Sequence, residues 1–231
     1  MENKTGKYFK YAIGEIVLVV IGILIALSIN NWNESVKNQV QEKSYLKSLI
    51  VDLSKDTLAI QNILAYQIED SLKIATHQSD LTKNDASMND LLRIMVYEWN
   101  PKIRTLRGFN TNTSEALVST GNINLIDSEI LNYLAILKSL QEAYITSIIP
   151  FIEFYRNVGD PTVPTPSIQS VINKGPIFDQ MIDGVDKIAL AYKFSTRLTL
   201  KRQTYRNSIR DLNEIKSKTE ELLHLIKQRN D

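Results

Sequence analysis

The stretch YAIGEIVLVVIGILIALSINNWNE, Tyr11 to Glu34, constrains this chain more than any other. From Ile16 to Leu27, ten of twelve residues are large aliphatics, and the others are Gly22 and Ala26. Tyr11 to Ile29 makes 19 residues, the length at which a helix crosses hydrocarbon. Each central Leu, Ile or Val favours insertion by about 0.3 to 0.6 kcal/mol, so ten contribute about 3 to 6. An acid at the bilayer centre costs about 2.5 kcal/mol or more, but Glu15 lies near one end and can reach the headgroups. The sum favours a membrane anchor. Two other readings compete with it. A cleaved export signal would use Ala26-Leu27-Ser28 as a loose cleavage site, but the apolar run continues through Ile29. A buried helix would show polar interruptions at helical spacing, and Ile16–Leu27 has none.

Lys4, Lys7 and Lys10 precede the run, and no base follows it until Lys37. The positive-inside rule then keeps residues 1–10 in the cytoplasm as a tail, makes 11–30 the single span, and exports 31–231. Tyr8, Tyr11 and Trp32 fall where interfacial aromatics belong. Gly14, Leu18, Gly22, Ala26 and Asn30 recur every four residues, and Gly14, Gly22 and Ala26 would let a second membrane helix approach closely. Glu15 reads as a solvated interfacial carboxylate.

Two segments carry a resemblance. KYFKYAIGEIVLVVIGILIALSINNWNE, Lys7 to Glu34, resembles the N-terminal signature of a family of uncharacterised single-span Bacteroidota membrane proteins, a domain of unknown function. SEALVSTGNINLI, Ser114 to Ile126, is similar to a second short motif of that family. The resemblance implies a protein of a Gram-negative cell envelope and bacterial inner membrane. It brings no activity and no functional residue.

The remainder reads as all-α, an antiparallel helical bundle with two long helices and several shorter ones. Leu46, Leu49, Ile50, Leu53, Ile60, Ile63 and Leu64 form one apolar stripe, and no Gly or Pro occurs from Ser35 to Gln78. The span and this helix can therefore be one rod. A second helix is expected from about Ser87 to Trp99, ended by Asn100-Pro101. Residues 101–111 read as a loop. Asn112 with Glu115 makes a capping box for a third helix, and Gly121 suits the left-handed position after it. Asp127 or Ser128 starts a fourth, to about Val158, with Leu131, Leu134, Leu137, Leu140 and Ile145 as core candidates and a kink at Pro150. GDPTVPTPS, Gly159 to Ser167, is a turn-rich connection, and a small apolar segment runs from Ile168 to Phe178. The last helix is expected from about Asp183 to Gln228, with Tyr205, Ile209, Leu212, Ile215, Leu222 and Ile226 repeating nearly as a coiled-coil heptad. It should return toward the membrane.

Chemistry is sparse in this pattern. There is no Cys, so thiol nucleophiles and Cys-based zinc sites are excluded. His77 and His224 have no ligand at metal-binding spacing. DLTKNDASMND, Asp80 to Asp90, is rich in oxygens but lacks the Gly and terminal Glu of a calcium loop. Glu69–Asp70 and Glu220–Glu221 are adjacent pairs that do not share a helix face. No phosphate loop or nucleophile elbow occurs. Residues 31–231 hold 24 basic and 24 acidic side chains, so bulk attraction to nucleic acid is not expected.

Two clusters stand out. Lys193, Arg197 and Lys201, then Arg202, Arg206 and Arg210, can make a positive face for an anionic partner, or pair with Asp52, Asp56, Glu69 and Asp70 on a neighbouring helix. YITSIIPFIEFYRNV, Tyr144 to Val158, can line a ligand pocket or form the core end of a bundle. The expectation is a membrane-anchored, non-enzymatic scaffold or protein-interaction module without a cofactor. Its partners would be the lipid bilayer and a protein or a second copy. The alternative is a sensory or small-molecule-binding bundle that signals through a separate protein.

Overall fold

The computed structural model describes residues 4–158 and 172–230, with side chains over 13–158 and 172–229. Lys4, Tyr8 and the other basic and aromatic side chains expected before the span lie outside the described side chains, as do Gly159–Ser167 and the start of the small apolar segment. Within the described residues the fold is all-α, with no strand.

Helix α1 runs unbroken from Lys4 to Leu81, 78 residues and about 117 Å at 1.5 Å per residue. The expected boundary at residues 30 and 31 leaves no mark on its backbone. Every described side chain from Ile13 to Gln41 is exposed. Among the described residues nothing packs on the apolar stretch. Burial begins at Glu42 and then follows the expected stripe: Leu46, Leu49, Leu53, Ile60 and Leu64 are buried, while Ile50 and Ile63 are partly covered.

Beyond α1 come α2 (Met88–Arg93), a π-helical turn (Ile94–Glu98), α3 (Asn112–Ser119), a 3-10 turn (Asn122–Leu125), α4 (Ser128–Asn157), α5 (Pro176–Asp183) and α6 (Lys187–Asn230). Helices α1 and α6 are the two longest, and α4 has 30 residues. A capping box does form, but at α2, where the Ser87 hydroxyl and the Asp90 carboxylate exchange hydrogen bonds with each other's backbone. The expected box of Asn112 and Glu115 is absent. Thr111 is the N-cap of α3 and makes no side-chain cap, and the cap comes instead from α1. Asp52 there accepts from the Thr113 amide at 3.2 Å and its hydroxyl at 2.6 Å, placing a carboxylate at the positive end of α3. Gly121 takes the expected left-handed conformation, φ 73°. The last helix starts at Lys187 rather than Asp183, because Gly184 ends α5 first.

The cross-contacts fix directions. Gln78 meets Arg202, Asp70 meets Lys201 and Gln67 meets Ser208, so α6 runs antiparallel to α1. Arg229 pairs with Asp127 and Glu129, and Tyr144 meets Ser208, so α4 is antiparallel to α6 and parallel to α1. Helix α6 packs against both others. It carries a tightly buried seam: Lys201, Tyr205, Ser208, Leu212, Ile215, Thr219, Leu222 and Ile226, alternating steps of four and three and all 0–1 % exposed. Of the expected α6 repeat, Ile209 alone lies off this seam and is partly covered. On α4 only Leu137 of the five expected residues is fully buried; Leu131, Leu134, Leu140 and Ile145 are partly covered. The buried α4 row is Ile130, Leu137, Gln141, Tyr144, Ile148 and Tyr155. Helix α4 continues through Pro150, which lies on the exposed side with Thr146, where water can take the carbonyl that the missing amide leaves free.

From Trp99, itself extended, to Asn110 the chain is non-helical, and this segment runs back down the bundle beside α1, from Tyr66 (with Asn100) past Gln67 (with Arg104) and Asp56 (with Asn110) to Asp52 (with Thr113). It fills the place of a fourth helix. Truncating the shared core, Leu212→Ala, should lower stability by about 3 kcal/mol in urea unfolding. Phe154→Ala, on an exposed ring, should change it by less than about 0.5 kcal/mol.

Candidate functional site

Two apolar clusters fill the bundle, one built around Leu53, Leu137 and Leu212 and the other around Trp99, Phe194 and Ile74. Between them lies a polar layer. Its centre is Lys201, fully buried, whose Nζ lies 2.6 Å from Asp70 Oδ2 and donates at 2.6 Å to the Asn100 carbonyl. The ammonium also sits over the Trp99 ring at 4.5 Å and the Tyr205 ring at 5.5 Å, close enough for cation–π attraction. Burial pulls the Lys201 pKa below the usual lysine range, and the Asp70 carboxylate pushes back.

The same layer serves the non-helical segment. Gln67 gives one amide hydrogen to the Arg104 carbonyl at 2.8 Å and the other to Ser208 Oγ at 2.9 Å. The Tyr155 hydroxyl donates to the Pro101 carbonyl at 2.7 Å. The Tyr205 hydroxyl lies 3.4 Å from both the Lys102 carbonyl, to which it donates, and the Arg104 amide, from which it accepts. Asp56 accepts from the Asn110 amide and side chain. Burial raises the pKa of Tyr155 and of Tyr205 well above the usual phenol value, so both stay donors at all ordinary pH.

Trp99 links this layer to the distal cluster. It stacks edge-on against Phe194 at 5.6 Å and His77 at 6.5 Å. The π-turn before it buries Ile94, Met95 and Val96 consecutively. His77 is buried, with Nδ1 3.7 Å from Glu98. Its burial favours the neutral ring and lowers its pKa, against the opposing pull of Glu98, Asp80 and Asp70.

The predicted basic face is distributed over several environments. Lys201 is in the core with Asp70, one of the four acids named as potential partners; Asp52 and Asp56 instead hold the approach to α3, and Glu69 pairs with Lys73 on its own helix. Arg197 is half-buried, its guanidinium 6.0 Å from the Tyr155 ring centre, and Lys193 is half-buried. Arg202, Arg206 and Arg210 stay exposed; Arg202 donates to Gln78 at 2.6 Å and Arg210 to Asp211 at 2.8 Å. Gly14, Gly22 and Ala26 all lie on the uncovered part of α1, with open space beside both glycines. His224 is exposed and meets Gln228. Of the aromatic patch, Tyr144 and Tyr155 point inward, while Phe154 is exposed.

Two grooves open on the surface. One, about 590 Å³, lies at the end far from the apolar stretch, between the end of α1, α2 and the first half of α6; Ile74, Leu91, Tyr192, Phe194 and Leu198 line it, with Arg202 at its edge. The other, about 370 Å³, is bounded by α1, α3 and α4 and includes Leu117, Val118 and Ile123 of the second sequence motif. Lys201, Asp70 and His77 line neither. Among the described residues no three His, Asp or Glu side chains converge as metal ligands. The polar layer ties α1, α4, α6 and the segment after Trp99 together. Sequence reading missed Trp99 and Gln67 as its organisers. The signal for Gln67 was its place on the α1 stripe, seven residues after Ile60 and between buried Leu64 and Ile74.

Asp70→Ala leaves the Lys201 charge buried and unpaired, and should cost about 3–5 kcal/mol in urea unfolding. Replacing both, Asp70→Leu with Lys201→Met, should recover part of that loss. For His77 the folded pKa lies below the unfolded one. Below about pH 6.5 the unfolded chain takes up a proton that the folded chain resists, so stability falls as pH drops from about 6.5. Unfolding midpoints at pH 7.5 and 5.5 check this, and His77→Phe should flatten the difference.

Neither curated proteins nor solved structures give a match to this chain. A family model does: that of a family of unknown function, DUF6090, matches residues 15–160, more than half the chain, from within the apolar stretch of α1 to just past the end of α4. On that match, the chain belongs to the DUF6090 family.

Proposed function

We propose that this protein is a single-pass envelope protein of the bacterial inner membrane, with its N-terminus in the cytoplasm and residues 31–231 in the periplasm. It acts as a non-enzymatic scaffold that presents a helical bundle to a protein partner or a second copy. The observation that carries the reading is the unbroken course of α1. The residues apolar enough to cross a membrane and those that form the bundle core belong to one helix. Between Asn30 and the first covered residue, Glu42, lie about 18 Å of bare helix. A rod of that kind fixes the height of the bundle above the bilayer.

The large groove favours a second reading, a sensory or ligand-binding bundle. About 590 Å³ of mostly apolar lining is within the usual size of a small-molecule site. Such a sensor would signal through a separate protein. The two readings part on what co-purifies: a stoichiometric protein supports the scaffold, and a small molecule retained in native mass spectrometry and lost in Phe194→Trp supports the sensor.

Topology is tested by protease accessibility. Protease added to spheroplasts should remove the bundle from the intact-membrane fraction and leave a short fragment that resists alkaline extraction. Full protection of the bundle until the inner membrane is broken would reverse the orientation. Recovery of the untreated protein in the soluble fraction would remove the anchor.

A further inference from the structure

Helix α1 has a second apolar face that the fold does not use. Val51, Leu58, Ala65 and Leu72 recur every seven residues and all are exposed; Leu58 is 59 % and Leu72 66 % accessible. Ile68 lies beside them at 48 %. Residues seven apart drift only about 20° per step, so these form one stripe. It lies opposite the face that carries Leu53, Ile60, Gln67 and Ile74 into the core. A helix partnered on one side only would carry polar residues here.

The stripe continues into the span. Eighteen residues make five full turns, and that interval separates Gly22 from Val40 and Val40 from Leu58. The same interval separates Leu18 from Val36, and twice that interval separates Val36 from Leu72. Val36 and Val40 are exposed, and Gly22 has nothing beside it. One side of one helix thus presents close-packing small residues at the membrane level and aliphatic residues at the bundle level.

We infer that a second copy of this chain covers that side, α1 against α1, parallel and in register over Leu18 to Leu72. The inference rests on the membrane anchor proposed above, since two spans inserted with the same topology can meet only in parallel. Its size fits. From Val36 to Leu72 the seam is about 54 Å long, and a strip about 10 Å wide gives about 540 Å² per partner. The span adds about 27 Å of seam, bringing the total to about 800 Å² per partner, that of a standard stable interface. Lys47 lies on the stripe between Val40 and Val51 and meets its own copy, which fixes register at a cost in affinity. Confinement of both chains to one membrane offsets that cost through effective concentration.

The absence of Cys makes the test direct. Leu58→Cys, Leu72→Cys and, as an off-face control on α4, Glu142→Cys are oxidised in isolated membranes that have been washed at alkaline pH. Covalent dimer is expected for Leu58→Cys and Leu72→Cys at several times the Glu142→Cys level. In the same detergent, Leu58→Glu with Leu72→Glu should shift the sedimenting mass from dimer to monomer with an unchanged helical signal, since neither side chain is in the monomer core. Equal cross-linking at all three positions in membrane-retained protein overturns the dimer and leaves the anchor standing. Selective cross-linking in protein that washes off the membrane keeps the seam and removes the anchor. A monomeric mass for the unaltered chain, or capture of a different protein by the Leu58 position, also overturns the dimer.

Discussion

The structure depends on one requirement: a non-helical segment of backbone, Asn100 to Asn110, must be satisfied inside a helical bundle. A helix meets its own hydrogen-bonding needs, but a non-helical segment cannot. Its carbonyls and amides are therefore met by side chains from three helices: Gln67 and Asp56 from α1, Tyr155 from α4, and Lys201 and Tyr205 from α6. Buried polar residues that would each be costly alone become necessary together. The Lys201–Asp70 pair belongs to this set. Its ammonium reaches the Asn100 carbonyl as well as the acid, so the pair positions the turn out of the π-helical segment as much as it balances charge.

The place of α6 follows from the same arrangement. With the non-helical segment and α3 taking the position of a fourth helix, α6 is the long helix that touches both α1 and α4. It must bury more than one face, and small side chains let its neighbours approach. Thr204 and Thr219 do this with their hydroxyls bonded back to the carbonyls of Leu200 and Ile215, so they need no outside partner. This explains how a helix rich in Lys and Arg comes to hold a continuous buried seam. The charges are on its remaining side, at Arg202, Arg206 and Arg210.

The apolar stretch and the bundle share one helix, and α1 has no Gly or Pro where the two meet. The part of α1 inside the bundle buries Asp52, Asp56, Gln67 and Asp70. Those four side chains grip α3, the non-helical segment and α6. The family match starts within α1 and stops before α6, so it spans most of the rod, the segment after Trp99, α3 and α4, including the second motif that lines the smaller groove.

The sequence by itself determined the all-α class, the continuity of α1, the extended break at Trp99 and Asn100, the left-handed Gly121 and most of the α1 and α6 core stripes. Each is a local matter: apolar spacing, a Pro that forbids helix before it, a glycine free of a Cβ. Tertiary structure alone decided which polar residues on those stripes go inside. Lys201 looked like a member of a six-residue basic face because its neighbours at steps of four are basic, and nothing within α6 distinguishes it. It is buried because Asp70 and the Asn100 carbonyl, 131 and 101 positions away along the chain, converge where it points. In the same way Asp52 replaced the expected Asn112–Glu115 box, since a carboxylate from another helix can cap α3 and no spacing rule within α3 records it. Hydrogen-bond partners supplied from a distance are what periodicity cannot encode.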